Sequence, residues 1–91
     1  VADIVGQKLR ALGEKRQVLC VTHLPQVAAC ANNQFLVSKA ESRGTTRSSI
    51  EELDPSARVE EIARMLGGIK LTATTREHAR EMLQGFGQAP A

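Results

Sequence analysis

Val18-Leu19-Cys20-Val21-Thr22-His23-Leu24-Pro25 is the stretch on which the reading of the fold turns. Val18 to Val21 is apolar, short, rich in β-branched residues and preceded by the charged cluster Glu14-Lys15-Arg16. That pattern predicts a buried strand over Gln17 to Thr22 rather than a helix. A strand apolar on both faces belongs to a parallel sheet covered by helices. Pro25 halts it. In open α/β sheets, ligands collect beyond the carboxyl ends of the strands. His23 stands at that place, and an imidazole can donate a hydrogen bond to an anionic oxygen there. A histidine that merely satisfies backbone groups at a strand end would occupy the same position, so both readings stay open.

Working outward, Val1, Ile4, Val5, Leu9 and Leu12 recur at helical spacing and predict a first helix that stops at Gly13. After the strand, Pro25 suits the first turn of a short helix over Pro25 to Ala31. Asn32-Asn33 breaks it. Gln34 to Ala40 reads as a second strand, with Phe35 and Val37 on one face and Leu36 on the other. Glu41-Ser42-Arg43-Gly44 is turn chemistry, and Thr45 to Leu53 reads as a polar third strand at a sheet edge. Asp54 then caps a helix whose first position is Pro55 and whose apolar stripe is Val59, Ile62, Ala63 and Leu66, ended by Gly67-Gly68. A last helix spans about Thr74 to Leu83.

The expected fold is therefore α/β. A small mixed sheet of about three strands, a parallel pair plus an antiparallel edge hairpin, carries flanking helices. A helical crossover joins the parallel pair and makes the connection right-handed. Residues 1–84 form one unit, and Gly85 to Ala91 reads as a disordered tail. The Val18–Val21 strand has one neighbour in this arrangement, which implies further elements on its other side. Val1 in place of an initiator Met points the same way, to a fragment.

Composition narrows the classes. The 91 residues suffice for one domain with a modest core. Phe35 and Phe86 are the only aromatics, so that core is aliphatic. A formal charge of +2 is too small to argue for nucleic-acid binding on its own. No apolar run approaches a membrane span, and no secretory signal pattern is present. Cys20 and Cys30 read as reduced core residues, Cys20 too buried to react.

Other chemistries find little support. Cys20, His23 and Cys30 are soft ligands close in sequence, but strand alternation parts Cys20 from His23. The Cys-x-x-Cys pairing is missing, and His78 lies on a distant helix. Thr22 and Ser38 lack a base and an oxyanion hole. Gly67-Gly68 closes a helix and is not a phosphate loop. Glu51-Glu52 and Glu60-Glu61 read as solvated carboxylates. Arg43, Arg47, Arg58, Arg64, Arg76 and Arg80 make a basic surface scattered among acids; Arg76-Glu77 and Arg80-Glu81 alternate in sign and read as a solvated face, which leaves a nucleic-acid patch little support.

Gln17-Val18-Leu19-Cys20-Val21-Thr22-His23-Leu24-Pro25-Gln26-Val27-Ala28 has a specific likeness. Together with Phe35 to Lys39 and Arg58 to Gly68, it resembles the head domain of ATP-binding-cassette ATPases related to the structural-maintenance-of-chromosomes proteins, in a bacterial DNA repair branch. The likeness runs to about Leu83. It implies the C-terminal part of an ATPase head, with ATP and Mg2+ as cofactors of the parent protein. His23 then takes the place of the switch-loop histidine that contacts the γ-phosphate of ATP, with Thr22 and Gln26 shaping its loop. The family's phosphate loop, signature motif and Asp-Glu pair have no counterpart in these residues. The Asp-Glu strand is expected just before Val1.

The implied partners are the rest of the same head, a second head, and DNA through the full-length protein, with no membrane. The implied setting is cytoplasmic and nucleoid-associated. The fragment alone is expected to be catalytically silent and to hold no nucleotide tightly. Two rivals from other classes are a non-catalytic α/β interaction module and a small DNA-binding domain. The second predicts salt-dependent binding by the chain itself.

Overall fold

The structure is a computed structural model, and it describes residues 1–67 and 70–86. Among the described residues, four helices and two strands follow one another as α1 (Ala2–Leu12), α2 (Pro25–Ala28), β1 (Phe35–Ser42), β2 (Thr45–Glu52), α3 (Pro55–Gly67) and α4 (Ala73–Gln84). The α/β class holds, but among the described residues the sheet is a single antiparallel pair.

Phe35 pairs with Glu52 and Ser42 with Thr45, leaving Arg43 and Gly44 as a two-residue turn. Both have positive φ, 53° and 77°. That is the mirror-image turn whose twist matches a hairpin, and Gly44 adopts it without strain. Ser38 and Ser49 oxygens meet at 3.0 Å across the ladder. Phe35, Val37 and Ile50 share one face and stay exposed; Leu36, on the other face, is half-buried. The Leu53 amide donates to Gln34 O at 2.9 Å and extends the pairing at the hairpin's open end.

The core lies among the helices. Ala28, Ala29, Val59, Ile62, Ala63, Ala79 and Leu83 are buried together, and Met65, Leu66, Leu71 and Met82 pack around them. α3 forms as its sequence directs. Asp54 accepts from the Ala57 amide at 2.8 Å, Pro55 opens the helix, and Val59, Ile62 and Ala63 face inward. It runs through Gly67; Gly68 lies outside the described residues. Thr72 caps α4 by accepting from the Thr75 amide at 3.1 Å. Arg76 Nε reaches Glu60 across the α3–α4 seam at 2.8 Å, and Arg80 pairs with Glu77 at 3.1 Å, both in solvent.

Three expectations need correction. The strand over Gln17 to Thr22 is absent: these residues form no regular element, and Val18, Leu19 and Val21 are exposed, Val21 fully. A strand exists only through a partner, and none of the backbone groups from Gln17 to Val21 is paired among the described residues. The parallel pair and its crossover are therefore absent too, and Cys20, expected in the core, is exposed. Second, α1 turns its apolar stripe to solvent. Ile4, Val5 and Leu12 are exposed, and the buried position is Gly6, where the helix meets α2. Third, Arg58 is buried. Of the tail, Gly85 and Phe86 form a turn after α4, while 87–91 lie outside the described residues.

Candidate functional site

His23 lies in the bend between the extended segment and α2, and it is exposed. No hydrogen bond or ion pair engages its ring among the described residues. The backbone around it is held. The Leu24 amide donates to Thr22 Oγ1 at 3.0 Å, which fixes the residues on either side of His23. Leu24 O then accepts from the Val27 and Ala28 amides at 3.1 and 3.0 Å and starts α2, with Pro25 buried at its first position. Gln26 is half-buried, and its carbonyl accepts from the Cys30 thiol at 3.2 Å. Thr22, His23 and Gln26 thus share one short segment. Thr22 has its hydroxyl in the turn, and His23 is presented outward.

The far end of α2 is gripped by two arginines. Arg58 donates through one terminal nitrogen to Ala28 O at 3.1 Å and Ala31 O at 3.0 Å, and through Nε to Gln34 Oε1 at 3.1 Å. Arg10 donates to Cys30 O at 2.7 Å and to Phe86 O at 3.2 Å, with the Phe86 ring 5.7 Å below its guanidinium. Burial, and then the nearby Arg10 charge, lower the proton affinity of Arg58 from its ordinary value. Burial raises the Cys30 thiol pKa above the ordinary value, the Arg10 charge opposing and Asp3 adding to it. Sequence reading missed Arg58 by counting it with the surface charges. The available signal is its spacing, one turn before Ile62 and next to Val59 on the buried stripe.

The fit of these residues to a nucleotide is partial. His23 offers one free donor to a phosphate oxygen, and the rest of a phosphate cradle is not formed by this segment. The two surface hollows described lie elsewhere, one between Asn32, Leu53, Pro55 and Arg58 and one at the hairpin tip around Arg43 and Arg47. No group of three or more His, Cys, Asp or Glu side chains is arranged to hold a metal ion among the described residues. No described helix is long and apolar enough to cross a membrane.

No family profile matches the chain. Individual relatives do. The chain is 58% identical over 84 residues to DNA repair protein RecN of Xylella fastidiosa strain Temecula1, 49% over 82 residues to that of Vibrio cholerae, and 38% over 84 residues to that of Bacillus subtilis. These alignments take in 92%, 90% and 92% of the chain but only 15% of each relative. The chain spans about one-seventh of the length of the RecN proteins it matches. Identity of this order across nine-tenths of the chain, in relatives from distant bacteria, makes it a member of the RecN family, corresponding to a C-terminal portion of such a protein.

Proposed function

We propose that this chain is the C-terminal part of an ATP-binding head in a RecN-type protein that acts in recombinational repair of DNA double-strand breaks. His23 contacts the γ-phosphate of ATP in the assembled head. The observation that carries this reading is the placement of His23. It is exposed and unengaged, and it sits between an apolar segment with open backbone groups and a helix that is fixed in the core.

In the assembled head, residues 17–22 add to a parallel sheet supplied by the rest of the protein, and His23 then stands at a strand's carboxyl end. ATP hydrolysis develops charge on the transferred phosphoryl group and needs an aligned water. A fixed donor aimed at that group stabilises the charge and registers whether the γ-phosphate is present. The phosphate loop and the carboxylates for Mg2+ come from the remainder of the chain, and a second head completes the site. Alone, this segment turns over no ATP.

The test is ATP turnover by the full-length protein, intact and with His23→Ala, with ATP binding measured alongside. Loss of one such donor lowers turnover by on the order of 10²- to 10³-fold, with ATP still bound. Unchanged turnover would refute the assignment. A second reading, a non-catalytic interaction module, draws on one observation: Ile4, Val5, Leu19 and Val21 are exposed apolar residues that a partner could cover. Unchanged turnover would bring it forward.

A further inference from the structure

The geometry points to Arg58 as a positioning residue for His23, acting through α2 and seconded by Arg10, an inference that rests on the ATPase reading above. α2 is four residues long, a single turn, and a helix of that length does not hold itself together. Its direction is imposed from outside. At its start, Leu24 O and Thr22 Oγ1 tie the turn to the residues flanking His23. At its end, Ala28 O takes the Ala31 amide at 3.2 Å, Cys30 O and Ala31 O meet no backbone amide among the described residues, and the two guanidiniums donate to all three. His23 precedes Pro25 by two residues, so a tilt of this turn displaces its ring directly.

Arg58 is 3% exposed, and burying a guanidinium is costly unless its donors are used. Here they are spent on two carbonyls at the end of α2 and on Gln34 at the hairpin's base. One side chain from α3 therefore sets α2 against the hairpin and the core at once. A planar fork can do this from a single position; an ammonium cannot. Arg10 closes the grip from α1 and carries it on to the turn after α4 through Phe86 O.

The experiment uses the full-length protein with Arg58→Lys, Arg10→Lys, His23→Ala and Ile62→Val, reading kcat and KM for ATP, ATP affinity and the thermal midpoint. Ile62→Val reports what a plain loss of core packing does to turnover. Arg58→Lys is expected to lower kcat by about a hundredfold, the scale of a misplaced catalytic group, with ATP affinity within about twofold, while Ile62→Val leaves kcat unchanged. Should Arg58→Lys fail to fold, Arg10→Lys, at a half-exposed site, decides, with an expected loss of kcat of several-fold. If His23→Ala abolishes turnover while the folded arginine variants keep the intact kcat, the positioning role is wrong and the ATPase reading survives. If His23→Ala itself leaves turnover intact, the ATPase reading falls and this inference with it.

Discussion

Gly6 lies so close to Cys30 that a methyl group at Gly6 would stand 2.6 Å from the Cys30 sulfur and 3.1 Å from Gln26 O. α1 comes closest to the α2 segment at this bare position, the one buried residue of α1. Gly6→Ala should therefore destabilise the chain even though alanine favours a helix. Overpacking costs about 1–3 kcal/mol, against a gain of about 1 kcal/mol in helix propensity. A lower urea midpoint is expected, largely restored by adding Cys30→Ala. An unchanged or raised midpoint for Gly6→Ala alone would show that the contact is slack.

The same cysteine predicts a pH dependence. Burial holds the Cys30 thiol pKa above its ordinary value in the folded chain. Above the ordinary thiol range, near pH 9, the unfolded chain gives up this proton while the folded chain keeps it. The unfolded state then binds fewer protons, and stability falls as pH rises toward the folded value. Below that range the contribution is fully present. Urea unfolding of the intact chain and Cys30→Ala between pH 7 and 10 should show the steeper alkaline loss in the intact chain. Parallel curves would contradict it.

Helix starts give a third expectation. Asp54 accepts from the Ala57 amide and Thr72 from the Thr75 amide. Replacing either by alanine should cost about 0.5–2 kcal/mol. The two caps begin different helices and share no hydrogen bond, so their costs should add. A double variant no weaker than the weaker single would mean the α3–α4 pair frays as one unit.

Ile62 and Leu83 are fully buried at the α3–α4 seam. Ile62→Ala should cost about 2–5 kcal/mol, and Ile62→Val about 0.5–1.5 kcal/mol. Denaturant midpoints at matched slopes provide the check. Losses below about 1 kcal/mol for the alanine variant would show that the helices close over the space.

How much of this was legible beforehand differs by element. α3, α4 and the hairpin carry local instructions: Asp54-Pro55, the Val59–Ile62–Ala63 stripe, and the Arg43-Gly44 turn. Val18–Val21 carries equally strong strand chemistry, yet a strand forms only through a partner, and this segment pairs with none of the described residues. The stripe on α1 misled for a related reason. Val1, Ile4, Val5 and Leu12 face outward, and the buried residue, Gly6, has no hydropathy to reveal it. Arg58 was hidden by its charge. Periodicity places it on the buried stripe, but only the carbonyls gathered at the end of α2 explain why a guanidinium belongs there. His23 stands out in sequence by its place after an apolar run, and the structure leaves it exposed, at the end of a segment without backbone pairing among the described residues.

We propose that residues 17–22 become a strand in the assembled head and thereby set His23 at its carboxyl end. Hydrogen exchange of the Val18–Val21 amides in the full-length protein tests this most directly. Protection on the order of 10²-fold or more is expected over the same amides in this chain alone, where they are unpaired. Exchange as fast in the full-length protein as in the isolated chain would contradict it.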